Sequence, residues 1–431
     1  MKLNQLTATE LLPQLKSGQI TAEAVVRDCI ARIHQRDDEV EAFQFVDESG
    51  AIQQAHACDR LHKEGTSAGL LHGIPVAIKD MIYTSDMPTQ HNSPLYEGNW
   101  PHYDAACVKM LQNAGAVILG KAHTVEFASM GQVAPTRNPH DPNRTPGGSS
   151  SGSAAAVADY MVPMALGTQT GGSTIRPASF CGIYGMKPTF GTVPIEGVRP
   201  YAPSMDTVGL MARSVADIAL LAQALQVIDR PLEETNKNSG YRIGLFRTSL
   251  WSQASEATQH AVEQAAEKLR QTGIKVIEIV SGVDFAELNE MHNILMHGEG
   301  RRTFFAELGR DADRMHPDTR GEAENTLGIT GADMRRAYDA VANFRVQIER
   351  EMEGFDAWLT PSVVGEAPEG LASTGEALFN RGWSALHTPC ITVPSHRGPN
   401  SMPVGVQLVA PRFEDYRLLQ VAAVVSGVLG V

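Results

Sequence analysis

The chain has 431 residues, of which 42% are hydrophobic and 20% are charged, and its formal net charge is −13. This length allows a large core, and the ordinary composition argues against disorder. The acidic balance excludes nucleic acid as an expected partner, because phosphate backbones would be repelled. No apolar run has the length of a signal core or a membrane span, so we expect a cytoplasmic protein without a membrane partner.

Helical signals dominate the first 65 residues. Thr7 and Glu10 have capping-box spacing, and Thr21 can cap a second helix. We therefore predict that residues 5–63 are helical. A short apolar run then predicts a buried strand over residues 74–78 that ends at Lys79 and Asp80, followed by a helix over 104–113 and a strand over 117–119.

The rest of the chain alternates helices with short apolar runs. Ser214 and Asp217 open a predicted helix, residues 229–240 read as a linker, and 283–353 read as helical. The charges at Glu299, Arg301 and Arg302 are predicted to lie on a solvated helix face. Further strands are predicted over 162–166, 243–246, 276–280, 358–360, 391–393 and 404–409, with helices near 254–271 and from about 414. The alternation predicts an α/β fold with a mostly parallel or mixed sheet.

Two Gly-Gly-Ser corners stand out, one ending at Ser149 and one ending at Ser173. Residues 148–152 formally match the G-x-S-x-G elbow of α/β-hydrolases, but that motif needs a strand before it. Residues 143–146 read as a turn instead, which argues against this interpretation.

Ser173 is the stronger nucleophile candidate, because it follows a possible strand and a Gly-rich turn whose amides can bind an anion. A serine hydroxyl needs a base, and no histidine is placed near it by a motif. Lys79 could serve if burial removes its proton, although a lysine at a strand end is more often solvated.

Several blocks together resemble the amidase signature family of serine hydrolases. They are HGIPVAIKD (72–80), NPHDPNRTPGGSSSGS (138–153), the GTQTGGSTIRPASFCG run with the KPT that follows it, SMDTVGLMARSVAD (204–217), ALHTPCITVP and SMPVGVQLVAP. The resemblance implies one amidase signature domain over 1–431, with a central mixed β-sheet covered by helices on both faces. A helical N-terminal section would span 1–65, and a variable helical section on the substrate side would span about 230–350.

The resemblance also implies the roles of the site residues. Ser173 would be the nucleophile, Ser149 a bridging serine in a cis peptide, and Lys79 the base. Ser150 would support the triad by bonding Lys79 or the backbone, and Asp80 and Asp206 would be structural acceptors. The oxyanion hole would be formed by the backbone amides of Thr170, Gly171, Gly172 and Ser173.

Two departures from the commonest family pattern concern the substrate. Arg176 stands one position later than usual, and Gln169 replaces the usual aspartate. Both features resemble malonamidase-like small amidases, in which an arginine three residues beyond the nucleophile binds the carboxylate of a small acid-amide. The alternative for Arg176 is a structural ion pair or a bond to backbone carbonyls. Residues 290–302 are expected to help line the pocket.

The expected activity is cleavage of a small amide, with a malonamate-like amide that bears a carboxylate as one candidate, through an acyl-enzyme that releases ammonia or an amine. The alternatives are the glutaminase (A) subunit of a tRNA-dependent amidotransferase, or a non-catalytic protein that uses the fold for assembly. We expect no cofactor. No metal site is predicted, because the five cysteines are spread without CxxC spacing and no HExxH motif is present. A homodimer is expected from the resemblance alone.

Overall fold

The computed structural model describes residues 2–233 and 240–431 of the chain. A mixed sheet of eleven strands runs through these residues. In chain order its strands are β1 (Phe43–Val46), β2 (Pro75–Lys79), β3 (Val117–Ala122), β4 (Met164–Gln169), β5 (Tyr184–Lys187), β6 (Thr207–Ala212), β7 (Arg242–Leu245), β8 (Lys275–Glu278), β9 (Ala357–Pro361), β10 (Cys390–Arg397) and β11 (Pro403–Val409). In space they follow the order β1-β3-β2-β4-β6-β5-β10-β11-β9-β7-β8.

The helices of the described residues connect and cover these strands. They are α1 (Ala8–Lys16), α2 (Ala22–Val40), α3 (Glu48–Lys63), α4 (Ala106–Asn113), α5 (Ser151–Ala158), α6 (Ile175–Cys181), α7 (Val215–Ala224), α8 (Glu256–Gln271), α9 (Phe285–Thr303), α10 (Phe305–Asp311), α11 (Pro317–Ala323), α12 (Gly331–Met352), α13 (Arg381–Ala385) and α14 (Asp415–Leu429). Several begin where the sequence predicts a cap. Thr7 and Glu10 form the complete capping box of α1, and Thr21 and Ser214 accept backbone amides at the starts of α2 and α7.

Helices cover both faces of the sheet, as the family resemblance implies. Side chains alternate between the two faces along a strand, and β9 shows this alternation directly. Ala357 and Leu359 belong to the larger of two buried apolar clusters, whereas Trp358 between them belongs to a second, aromatic-rich cluster. The second cluster also contains Phe285 of α9 and Trp383 of α13. The sheet therefore has a helical layer packed on each side.

The register of the central strands determines where the site lies. Strand β2 pairs in parallel with both β3 and β4, with Ile78 opposite Leu166. Carboxyl ends of parallel strands meet at the same edge of a sheet. Lys79, the last residue of β2, therefore lies beside the end of β4, where the turn leading to Ser173 begins.

The structure corrects two predictions and adds two strands. Residues 5–63 are not helical throughout, because β1 lies within them and pairs antiparallel with β3. Strands β5 and β6 were not predicted at all. Glu299 is buried rather than solvated, since it accepts the Ser204 amide at 2.9 Å and the Tyr338 hydroxyl, whereas Arg301 and Arg302 are exposed as predicted. Residues 234–239 of the predicted linker lie outside the described residues.

The five cysteines are buried, and none of them forms a disulfide. Among the described residues, no helix is both long enough and apolar enough to cross a membrane.

Candidate active site

Lys79 lies at the buried end of β2 and is fully excluded from solvent. Its Nζ is 2.7 Å from Ser149 Oγ and 2.6 Å from Thr168 Oγ1. Burial lowers the pKa of this amine well below its usual value, and the negative charge of Asp206 opposes part of that effect. A neutral amine has one lone pair and can accept a proton from a neighbouring hydroxyl.

Ser149 is presented by a tight turn between a loop and α5. Gly147 in this turn has φ +83°, and a Cβ there would lie 2.8 Å from the Cα of Pro177. The following peptide bond, between Gly148 and Ser149, is cis. Ser149 lines the cavity of the site, and its hydroxyl contacts Lys79.

Ser150 fastens this turn to the end of β4. Its Oγ donates to the carbonyl of Thr168 at 3.2 Å and accepts from the Thr168 amide at 3.1 Å. Of the two partners expected for Ser150, it bonds the backbone and not Lys79. The consequence is that Thr168, which the sequence reasoning missed, is held where its own hydroxyl contacts the lysine.

Ser173 lies in the turn between β4 and α6 and is half-buried. It lines a cavity of about 480 Å³ together with Ser149, Gly171, Gly172 and Arg176. Within residues 2–233 and 240–431, the hydroxyls of Ser149 and Ser173 make no direct hydrogen bond, although both open into the same cavity. Catalytic hydrogen bonds are often long before substrate binds.

The turn from Thr170 to Ser173 leaves its backbone amides unused. In the described parts of the chain, none of these four N–H groups donates to a protein acceptor. The next two amides, of Thr174 and Ile175, do have a partner, because both donate to Gln169 Oε1 at 2.9 and 3.0 Å. A row of free amides at the edge of a cavity can receive a developing oxyanion.

Arg176 is buried on α6 and lines the same cavity. Its Nη2 donates to the Gly148 carbonyl at 2.7 Å and to Thr374 Oγ1 at 2.9 Å, while its Nε has no partner among the described residues. Burial, assisted by the charge of Arg381, lowers the pKa of Arg176 to about 10, so the guanidinium stays charged near neutral pH.

Arg381 and Met296 also line the cavity and were not singled out from the sequence. Met296 falls in the segment 290–302 that was expected near the pocket. Arg381 pairs with the exposed Glu376 at 3.5 Å. Arg381 and Met296 come from α13 and α9, far along the chain from the Gly-Ser corners, so no local pattern pointed to Arg381.

Comparison with known proteins identifies the family. A family model described as Amidase matches residues 24–419. The chain belongs to the amidase signature family. The A subunit of glutamyl-tRNA(Gln) amidotransferase from Rhodopirellula baltica is 34% identical over 475 residues, covering 96% of this chain and 94% of that protein. Its counterpart from Thermobifida fusca is 32% identical over 486 residues, covering 99% and 96%.

Solved structures of amidase signature enzymes share the fold. A crystal structure of an amidase aligns with a TM-score of 0.90 at 28% identity, covering 99% of this chain and 100% of that chain. The native peptide amidase of Stenotrophomonas maltophilia aligns with a TM-score of 0.82 at 26% identity, covering 99% and 97%. This amidase signature chain is therefore an enzyme that acts on amide C–N bonds.

Proposed function

We propose that this enzyme releases ammonia from a small primary amide that carries a carboxylate, through an acyl-enzyme on Ser173. The observation that carries the proposal is the solvent-excluded Lys79 amine at 2.7 Å from the Oγ of Ser149, which lines the same cavity as Ser173. Buried Lys187 donates to two backbone carbonyls, which can only accept, whereas the partners of Lys79 are two hydroxyls, and a hydroxyl can also donate its proton to a neutral amine.

The proposed cycle begins when the Ser173 hydroxyl turns toward Ser149 and attacks the amide carbonyl. Ser149 accepts the proton of Ser173 while passing its own proton to neutral Lys79. The carbonyl oxygen becomes an oxyanion, which accepts hydrogen bonds from the free backbone amides of residues 170–173. The proton then returns through Ser149 to the leaving nitrogen, ammonia departs, and water hydrolyses the ester by the same relay.

The carboxylate preference rests on Arg176. A buried guanidinium is costly without a counter-ion, and in the described residues no carboxylate forms an ion pair with Arg176. Its unpartnered Nε gives the cavity a free donor. A planar guanidinium binds a carboxylate strongly, so an anionic substrate end would complete the site.

The relatives favour one alternative for the substrate. Those with 31–34% identity are named as the A subunit of glutamyl-tRNA(Gln) amidotransferase, which supports the glutaminase alternative more than a malonamate-like substrate. Glutamine is itself a primary amide with a carboxylate, so the argument from Arg176 applies to it equally. We therefore propose glutamine as the first candidate substrate, with partner subunits that receive the ammonia.

The test is ammonia release from glutamine, from malonamate and from the neutral methyl ester of malonamate. We expect Ser173→Ala to abolish release from all three, and Arg176→Ala to lower kcat/KM for the two carboxylates by at least about 10-fold relative to the ester. Equal loss across the panel would count against the carboxylate site. Faster turnover of malonamate than glutamine by the purified chain would replace the glutaminase assignment with a free-standing small amidase.

A further inference from the structure

The turn over residues 170–173, called here the nucleophile turn, has three backbone carbonyls that each accept a hydrogen bond from a neighbouring group. His292 Nε2 of α9 donates to the Thr170 carbonyl at 3.0 Å, and Ser384 Oγ of α13 donates to the Gly171 carbonyl at 2.8 Å. The Gly172 carbonyl accepts the Arg176 amide at 2.9 Å. In a planar trans peptide the N–H points opposite to the C=O. These three bonds therefore set the direction of the N–H groups of Gly171, Gly172 and Ser173.

Such anchoring has a physical reason in the two glycines. Without a Cβ, the peptide between Gly171 and Gly172 can adopt many orientations at little steric cost. A freely turning peptide would present its carbonyl to the oxyanion as readily as its N–H. The bonds from His292 and Ser384 remove this freedom before substrate binds.

Gln169 determines which way the Ser384 hydroxyl points. The carboxamide of Gln169 donates from Nε2 to Ser384 Oγ at 3.1 Å. Because an amide NH₂ group can only donate, Ser384 must accept this bond, and its single hydrogen goes to the Gly171 carbonyl. A glutamate carboxylate in the place of this carboxamide would accept that hydrogen instead and would leave the Gly171 carbonyl unbonded.

His292 is fixed in one tautomer by the same kind of argument. It is fully buried, and burial lowers its pKa to about 4, so the ring is neutral at neutral pH. A backbone carbonyl can only accept, so the single ring proton lies on Nε2. His292 is therefore a constant donor to the Thr170 carbonyl and not a second base.

We propose that Gln169, Ser384 and His292 are positioning residues that hold the Gly171 and Gly172 amides toward the oxyanion in the reaction proposed above, on which this inference rests. They touch no reacting atom and act through the backbone of the turn. The simpler view is that their bonds only satisfy buried carbonyls. The two views differ in whether kcat or only stability changes when a bond is removed.

The experiment compares Gln169→Glu, Ser384→Ala and the double variant, with ammonia release from the best substrate of the panel as the assay. Gln169→Glu keeps the acceptor for the amides of Thr174 and Ile175, but it replaces the donor to Ser384 with an acceptor and adds a carboxylate, so Ser384→Ala is the variant that removes the bond to the Gly171 carbonyl without a change of charge. We expect each single variant to lower kcat by between about 10-fold and about 10³-fold with KM nearly unchanged. The fall in kcat of the double variant should be no larger than that of the worse single variant, because both changes remove the hydrogen bond to the same Gly171 carbonyl.

His292 and a control serine complete the set. His292→Leu should lower kcat as Ser384→Ala does, and His292→Gln, which retains an N–H donor, should restore part of it. Ser153→Ala is the matched control, since buried Ser153 donates to the Leu166 carbonyl at 2.9 Å outside the turn. It should leave kcat unchanged. A fall in melting temperature with unaltered kcat in the Gln169 and Ser384 variants, or strictly additive losses, would overturn the inference.

A second readout separates this inference from the proposed function. A fluorophosphonate forms a bond from Ser173 Oγ to phosphorus with loss of fluoride, and its P=O oxygen occupies the oxyanion position. Intact-mass analysis should show fast labelling of the parent enzyme and slow labelling of the Gln169 and Ser384 variants. An unlabelled parent overturns the proposed function together with the inference. A labelled parent with equally fast variants overturns the inference alone.

Discussion

The protonation state of Lys79 can be measured through stability. Replacing Lys79 with methionine keeps an apolar stem of similar length and removes the titrating group. The folded pKa of Lys79 is lowered, so between that pKa and the unfolded value of about 10.4 the unfolded chain binds one more proton than the native one. Stability conferred by this site must therefore rise with pH in that window and level off above it.

The magnitude follows from one proton. Within the window, the free energy of unfolding of the wild type minus that of Lys79→Met should increase by about 1.4 kcal/mol for each pH unit. The other buried lysines, Lys121 and Lys187, are present in both proteins, so their titration cancels. Asp206, whose pKa burial raises to about 6, is ionised throughout the alkaline range and presents a constant charge.

The assay is urea unfolding of both proteins at several pH values between about 8 and about 10. Kinetics provide the parallel measurement: kcat/KM of the wild type should rise with pH to a plateau, and Lys79→Met should lose at least about 10²-fold of it. A stability difference that is flat or falls with rising pH would mean that Lys79 is charged in the fold. A variant that keeps the wild-type rise of kcat/KM would refute its role as base.

Three further predictions concern the relay and the scaffold. Ser173→Ala should abolish the acyl-enzyme seen by intact-mass analysis, whereas Ser149→Ala should still acylate slowly. Full activity of Ser149→Ala would exclude a proton relay through Ser149. Gly152→Ala places a Cβ 2.1 Å from the Ala42 carbonyl oxygen and should destabilise by about 1–3 kcal/mol or more, seen as a lower melting temperature than the parent's. Asp217→Ala should make the N-terminal helix α1 more susceptible to proteolysis, because the Asp217 carboxylate accepts hydrogen bonds from the amides of Ala8 and Thr9 at 2.9 Å. Each amide left unpaired costs about 1–3 kcal/mol. Cleavage at the parent rate would contradict this prediction.

Asp217 illustrates how much a local pattern can reveal. With Ser214 it predicts the start of α7, which the structure confirms. Its carboxylate also holds the start of α1, 209 residues before it at Ala8, and nothing in the sequence near either helix indicates this contact. Local spacing predicts caps because capping bonds join residues three apart, whereas the second role depends on how α1 and α7 pack.

The missed strands have a related explanation. Strand β5 reads Tyr-Gly-Met-Lys and shows neither alternation nor an apolar run. Its Lys187 is buried, and the loss of water around Nζ is compensated by hydrogen bonds that it donates to the carbonyls of Thr388 and Pro188 at 2.6 and 3.0 Å. Strand β5 exists because β6 and β10 pair with it on either side, so its signal lies in the partners and not in its own residues.

Three features could be inferred from the order of the residues: the Gly-Ser corners, the lysine at the end of a buried strand, and the mixed α/β architecture. Each depends on residues that are close in the chain or on a family pattern. Three other features depend on the folded chain. The Lys79 amine is excluded from solvent, and the Thr168 hydroxyl contacts it. His292 and Ser384, from two helices distant in the chain, donate hydrogen bonds to the nucleophile turn. Burial and the direction of a peptide group are set by what packs around them, and those neighbours come from separate parts of the chain.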